Sequence, residues 1–319
     1  MLSNILLTIL GLALLLYFAE QLLNVAVYVS EKLGIPKFVI GLTVLAMGTS
    51  IPELVVNLVG VIQQQPEVRF NVVGSNITNI FFVASVSAVI FPIVVKKTVA
   101  TRDVPFVIIS ALVFILLFYD RLFNGTATNE LSRSDGLVML VLFGVYLYYV
   151  VFTHKHQYQE PQDHLLPKKE LVKKILIGAG ALVGVIIGGT LAVENIVLVT
   201  ETLGFSKKFA GVIAISIGTS LPELITSLIA LRKNHPELAM GNIIGSNVYN
   251  LLFILGISAS IAPISEVDGI KIDLIFMSIA TLFFLVAIYY GKRNKLERKE
   301  GVFGILMFVL YILFEIVKF

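Results

Sequence analysis

Apolar residues fall along this chain in long unbroken runs. They show neither the alternation of a half-buried strand nor the one-sided stripe of a soluble surface helix. Runs long enough to cross a hydrocarbon core about 30 Å thick, at 1.5 Å per helical residue, recur ten times. They cover 2–30, 38–62, 70–94, 103–120, 135–153, 173–201, 208–231, 239–263, 270–290 and 301–317. Connections are short, and the longest polar stretch, from about His154 to Lys174, predicts a linker rather than a folded module. The pattern predicts an all-α polytopic membrane protein of ten transmembrane helices.

The first run is read as a span and not as a cleaved leader. No lysine or arginine precedes Ile5, and no small-x-small site follows Phe18. Basic residues orient the whole set. With the loops after spans 1, 3, 5, 7 and 9 on one side, that side holds 17 of the 24 lysines and arginines. That side is predicted to be the cytoplasm. The N-terminus is then outside, the 154–172 linker is cytoplasmic, and the protein is expected in the plasma membrane.

Composition narrows the class further. Of 319 residues, 57% are hydrophobic and 14% charged, with a mean hydropathy of +0.93. Soluble domains carry about 25% charged residues, so an ordinary cytosolic enzyme is excluded. The net charge of +3 without a basic stripe argues against nucleic acid as a partner. The absence of cysteine excludes disulfides, thiolate-bound zinc and a thiol nucleophile.

The chain also contains itself twice. Gly48-Thr49-Ser50-Ile51-Pro52-Glu53-Leu54 recurs 170 residues later as Gly218-Thr219-Ser220-Leu221-Pro222-Glu223-Leu224. Asn71-Val72-Val73-Gly74-Ser75-Asn76 recurs 171 residues later as Asn242-Ile243-Ile244-Gly245-Ser246-Asn247, and Asn79 as Asn250. The halves are 1–153 and 173–319, separated by the linker 154–172, with motif segments 48–54 and 71–79 in the first and 218–224 and 242–250 in the second. Five spans per half is an odd number, so the second half enters the membrane from the opposite face. Inverted repeats with a midplane site between interrupted helices mark several secondary transporters.

The repeated residues have a shared chemistry. Proline lacks an N–H and clashes with the carbonyl four residues back, here that of Gly48 or Gly218. Spans 2 and 7 should therefore break there, and spans 3 and 8 are read as interrupted too. Carbonyls freed at membrane depth are tolerated where they line a cavity or meet a partner such as an ion. Glu53 and Glu223 are carboxylates in apolar spans, which by default mark an ion or proton pathway. Thr49 and Glu53, Thr219 and Glu223, Ser75 and Asn79, and Ser246 and Asn250 are each four apart and share a helix face. Ser50 and Ser220 add hydroxyls. Two carboxylates, amides, hydroxyls and carbonyls are hard oxygen donors, suited to Ca²⁺ and Na⁺. Asn76 and Asn247 are read as hydrogen-bonding a broken helix end, and Gly41, Gly74 and Gly245 as close-packing positions.

The paired Gly-Thr-Ser-x-Pro-Glu and Gly-Ser-Asn-x-x-Asn segments resemble the two α-repeats of the cation/calcium antiporter superfamily, and most of all those of prokaryotic sodium/calcium exchangers. The resemblance covers essentially the whole chain. It implies Ca²⁺/Na⁺ antiport by alternating access, with spans 1 and 6 sliding against the other eight. It implies Glu53 and Glu223 as main Ca²⁺ ligands, joined by backbone oxygens of Thr49 and Thr219. Sodium sites would share those glutamates with Ser75 and Ser246 and with carbonyls near Ala46 and Ser216. Asn79 would complete the middle of the set. The partners implied are Ca²⁺, Na⁺ and the lipid bilayer, with no cofactor and no obligate protein partner.

The chain departs from that pattern where Asn250 replaces a common aspartate, leaving two formal negative charges at the site. One Ca²⁺ or two Na⁺ would balance them, and a third Na⁺ would not. A proton-coupled Ca²⁺ antiporter on the same fold stays open, as does, more remotely, an ion channel. An enzyme is not expected, since the spans hold neither an HExxH segment nor any histidine. His154, His156, His164 and His235 are read as loop residues, the first three in a solvated basic linker.

Overall fold

The computed structural model describes residues 1–63, 71–119, 121, 128–154, 168–204, 217–267, 269–290 and 294–318. Among these the chain is helical apart from four two-residue strands. The helices are α1 (Leu2–Leu33), α2 (Lys37–Thr49), α3 (Ile51–Ile62), α4 (Asn71–Ile90), α5 (Lys97–Phe118) and α6 (Arg133–His154). The second half supplies α7 (Lys168–Thr202), α8 (Leu221–Arg232), α9 (Pro236–Ile261), α10 (Ile270–Tyr290) and α11 (Arg298–Lys318).

Seven of these helices are individually long and apolar enough to span a membrane, and the α2–α3 pair, bent by 44°, makes an eighth candidate. Among the described residues the count therefore reaches eight, where ten were expected along the whole chain. The first part of predicted span 7, residues 208–216, lies outside the described residues. Predicted span 10 is occupied by α11, a helix of 21 residues that is not among the seven.

The predicted breaks sit slightly differently from expectation. Pro52 and Pro222 do not lie inside damaged helices. Each occupies the first turn of a new one, where its missing N–H has no intrahelical role. The backbone leaves helical geometry at Ser50 (φ −87°, ψ 8°) and again at Ser220 (φ −91°, ψ 4°). Glu53 and Glu223 consequently fall in the first turns of α3 and α8, at the positive end of a helix macrodipole. Two further irregularities match between the halves. The backbone widens into π-helical turns at Asn79–Ala84 in α4 and Tyr249–Ile254 in α9, a distortion frequent at functional sites.

Burial follows from the polar content of each helix. The two motif helices α4 and α9 are mostly buried, whereas α1 presents Leu6, Ile9, Leu10, Leu16 and Tyr17 to the outside, as lipid contact requires. Long α1 and α7 cross in backbone contact. A Cβ on Gly11 would meet Ala192 N at 2.5 Å, and one on Gly188 would meet Leu15 N at 2.6 Å. Small residues at such a crossing let two membrane helices approach.

Short antiparallel ribbons close the ends. β1 (Ile93–Val94) pairs β4 (Lys295–Leu296) with Ile93 opposite Leu296. β2 (Glu130–Leu131) pairs β3 (Ile264–Ser265) with Leu131 opposite Ile264. Ile93 and Ile264 both follow a Gly-Ser-Asn helix, so each ribbon joins the same element of one half to a late element of the other.

One expectation is overturned at the α6 end. His154 is not a solvated linker residue: it closes α6 and is 1% exposed. Its Nε2 lies 3.5 Å from Oδ2 of Asp103, itself fully buried, and its Nδ1 lies 3.0 Å from the Val150 carbonyl oxygen. The Phe38 ring packs beside it. His156 and His164 lie outside the described residues. The helices also run into both ends of the predicted 154–172 linker, leaving 155–167 between α6 and α7.

Burial opposes the charged imidazole, but the Asp103 carboxylate beside it and the Val150 carbonyl outweigh it and hold the His154 pKa above its ordinary value. While Asp103 stays ionised, the contribution of protonated His154 to stability is thus fully present below about pH 6.5 and lost as pH rises through the raised folded value. Thermal unfolding of purified protein between about pH 6 and pH 9 should show a decline in wild type that is shallower in His154→Gln. Parallel curves would mean that the pair carries no proton-linked stability.

Candidate functional site

The four motif segments converge. α2 supplies Ala46 and Thr49, Ser50 sits at the break that follows it, α3 supplies Glu53, α4 supplies Ser75 and Asn79, α8 supplies Glu223 just after Thr219 and Ser220, and α9 supplies Ser246 and Asn250. All but Thr219, which is half-buried, are at most 2% exposed. Ser216 lies outside the described residues.

The contacts cross between halves. Ser50 Oγ donates to Glu223 Oε1 at 3.0 Å, and Ser246 Oγ reaches the same oxygen at 3.5 Å. Ser75 Oγ and Thr219 Oγ1 are 3.1 Å apart. The first-half motif thus touches Glu223, and the second-half motif touches Ser75, in one cluster.

What the cluster lacks is as informative. Both carboxylate oxygens of Glu53, Oε2 of Glu223, the Ser220 hydroxyl and both amide atoms of Asn79 and of Asn250 have no hydrogen-bond partner among the described residues. Burying polar atoms unpaired is unfavourable, and burying an unpaired carboxylate far more so. Almost all buried polar groups in proteins find a partner, so this concentration of orphans needs an account. No three His, Cys, Asp or Glu side chains are gathered so as to hold a metal ion among the described residues. The donors are two carboxylates and neutral oxygens, a set that fits Ca²⁺ or Na⁺ better than zinc or copper.

Sequence reasoning missed an outer polar layer. Asn242, fully buried on α9, accepts from Thr49 Oγ1 at 3.2 Å. Its Nδ2 donates to Ser227 Oγ at 3.2 Å and to the Glu223 carbonyl oxygen at 3.4 Å. Asn57 Nδ2 on α3 donates to Ser258 Oγ on α9 at 2.8 Å. The available signal was position: Asn57 and Ser227 each follow a motif glutamate by four residues, on its helical face. Asn76 Nδ2 donates to the Asn247 carbonyl oxygen, which ties α4 to α9 where a helix-end contact was expected, and Asn247 Nδ2 donates to the Ile243 carbonyl oxygen within α9.

A bundle of apolar helices enclosing a broken-helix cluster of buried oxygen donors defines a multi-pass membrane transporter of cations. The family described as sodium/calcium exchanger protein matches residues 3–152 and 173–317, and the chain belongs to that family, within the cation/calcium antiporter superfamily. It is 32% identical over 297 residues to inner membrane protein YrbG of Escherichia coli, covering 90% of this chain and 89% of the relative. It is 27% identical over 350 residues to sodium/calcium exchanger MaX1 of Methanosarcina acetivorans, covering 99% and 98%. The fold superposes on the sodium-calcium exchanger NCX_Mj soaked with 10 mM Na⁺ and zero Ca²⁺ with a TM-score of 0.81, at 25% identity over 97% of this chain and 98% of that one. The chain is thus built to exchange cations including Ca²⁺ across a membrane.

Proposed function

We propose that this protein exchanges Ca²⁺ for Na⁺ across the plasma membrane by alternating access. Glu53 and Glu223 are the main Ca²⁺ ligands, with oxygens of Thr49 and Thr219. Ser50, Ser75, Ser220, Ser246, Asn79, Asn250, Ala46 and Ser216 complete the Ca²⁺ and Na⁺ positions. The architecture we assign is ten spans in two inverted five-helix halves, 1–153 and 173–319, with the N-terminus outside and the connecting linker in the cytoplasm. The sharing of both ribbons between halves and the matched breaks and π-turns support that assignment.

The observation that carries the reading is Glu53, fully buried with neither oxygen partnered among the described residues, in the same cluster as Glu223. Two nearby carboxylates repel unless a cation or proton joins them. One Ca²⁺ neutralises the pair, and so do two Na⁺, which makes electroneutral exchange possible without a third sodium.

The test is ⁴⁵Ca²⁺ uptake into proteoliposomes preloaded with Na⁺ or given only a pH gradient. Uptake driven by the sodium gradient, unaltered by clamped voltage, is the expected result. Uptake driven by the pH gradient alone would keep the glutamates as ligands and reassign the coupling ion to H⁺. Asn250→Asp should add a third negative charge beside the pair. We expect it to steepen the sodium dependence and introduce about one charge moved per turnover, with Ca²⁺ affinity changed less. Unchanged sodium, pH and voltage profiles would place Asn250 outside the ion path.

A further inference from the structure

The two longest helices, α1 and α7, lie against each other in backbone contact and meet the broken motifs through apolar groups. Leu182 of α7 fills the space beside Gly48, Val193 fills that beside Gly218, and Gly189 lies against Pro222. Apolar contact is non-directional, so it holds a helix down without fixing its register. One polar contact of α1 is of another kind. Glu20 is the one charged residue between Leu2 and Ser30, and a carboxylate in a spanning helix marks function by default. Lys233, at the C-terminal cap of α8, reaches it: Nζ is 2.6 Å from Glu20 Oε1 and donates to Asn24 Oδ1 at 2.8 Å.

Glu20 and Asn24 are four apart on one face of α1, so a single ammonium takes an acceptor from each of two successive turns. A slide of eight residues, about 12 Å, would put Leu12 and Leu16, or Tyr28 and Lys32, in their place. The contact therefore belongs to one register of α1 on α8. It also has no equivalent in the other half. The counterparts of Glu20, Asn24 and Lys233, 170 positions away, are Thr190, Glu194 and Gln63, with no basic residue among them.

We propose that Lys233, Glu20 and Asn24 are positioning residues that form a one-sided latch for alternating access. The latch holds α1 on α8 in the facing state described here and lets go when α1 and α7 slide to the other. None of the three binds the transported ion. Lys233 closes the helix that opens with Glu223, so the latch registers the sliding pair against a helix carrying a ligand glutamate. Without it, two matched halves would favour their two facing states about equally; with it, one state is weighted over the other. Lys233 and Glu20 are 32% and 49% exposed, so water and salt screen their attraction. That suits the role: the latch weights an equilibrium and does not prevent the slide.

This inference rests on the exchanger reading above, with α1 and α7 as the sliding pair, and the experiment separates the two. ⁴⁵Ca²⁺/Ca²⁺ exchange is measured in proteoliposomes of known orientation, varying Ca²⁺ on one face while the other is saturated. The inner-to-outer ratio of half-saturating Ca²⁺ then follows the ratio of the two facing populations. Glu20→Gln and Lys233→Gln should each move that ratio in the same direction, by about threefold. Carrying both substitutions should move it no further than either alone, because both remove one contact. Exchanging the charges, Glu20→Lys with Lys233→Glu, should bring the ratio back toward the wild-type value.

Asn24→Ala removes only the second acceptor and is the milder variant if the charge-altered forms fold poorly. It should move the ratio in the Glu20→Gln direction by about twofold. A merely structural role would lower turnover in these variants with the ratio unmoved, and that result overturns the proposal. Shifts of opposite sign in the two single glutamine variants, or shifts that add in the double one, also overturn it. Absence of Ca²⁺ exchange in wild-type protein would instead sink the exchanger reading.

Discussion

Glu53→Gln and Glu223→Gln should each abolish Ca²⁺ transport while leaving a folded protein. Glutamine matches glutamate in shape, so the packing of α3 and α8 is kept. It replaces one anionic oxygen by an NH₂ donor, however, and removes half of the charge that balances a divalent ion. Removing an unpaired buried carboxylate also relieves a desolvation cost, so neither variant should unfold more easily in the absence of Ca²⁺. The contrast should emerge when the ion is added. A ligand bound to the folded state stabilises it by about 2.7 kcal/mol at a hundred times its dissociation constant. Wild-type protein should show a Ca²⁺-dependent rise in unfolding temperature, and both variants should lose it. The two glutamates should still differ in one respect. Glu223 Oε1 accepts from Ser50 and Ser246, contacts that a glutamine oxygen retains, whereas Glu53 has no such partner among the described residues. The arrangement of α2 around position 223 should therefore survive substitution there. Substantial ⁴⁵Ca²⁺ uptake by either variant, or undiminished thermal stabilisation by Ca²⁺, would refute the ligand assignment.

Much of this site is written locally. Gly-Thr-Ser-x-Pro-Glu holds its own break, because proline cannot continue the preceding helix, and the glutamate's place in the new first turn follows from its distance to that proline. The four-residue spacings of Thr49 with Glu53 and Ser75 with Asn79 are likewise readable one helix at a time. The contacts that organise the cluster are not. Thr49 and Asn242 are 193 positions apart, and Asn57 and Ser258 are 201 apart, so their pairing exists only once α2, α3 and α9 have packed. His154 failed for the same reason. A histidine beside a charged linker reads as solvated until α5 brings Asp103 beneath it. The breaks also divide what counts as a span. α2 and α3 are each too short to cross a bilayer, and only as a bent pair do they register as one.

Gly245→Ala should cripple the protein with the smallest possible change of side chain. α9 lies against α2 with no room between the backbones. A Cβ at Gly245 would run into the Leu42 carbonyl oxygen and come within 2.5 Å of Ala46 Cβ. Gly41 and Gly241 describe the same seam, since a Cβ on the first would meet the Leu238 carbonyl oxygen at 2.5 Å and one on the second the Phe38 carbonyl oxygen at 2.5 Å. Backbone cannot rotate away as a side chain can, so the added methyl must push α2 off α9. Overpacking of this kind costs about 1–3 kcal/mol. The functional loss should exceed the loss in stability, because the displaced segment ends in Thr49 and Ser50, which hold Asn242 and Glu223. Gly144→Ala provides the opposite sign. Gly144 is exposed on α6, and a methyl added there would meet nothing within 4 Å among the described residues. Alanine in place of glycine within a helix gains up to about 1 kcal/mol. Thermal unfolding and ⁴⁵Ca²⁺ uptake measured on both variants decide the matter. Equal behaviour of the two would show that α2 can yield at the seam, and that its contact with α9 does not set the geometry of the site.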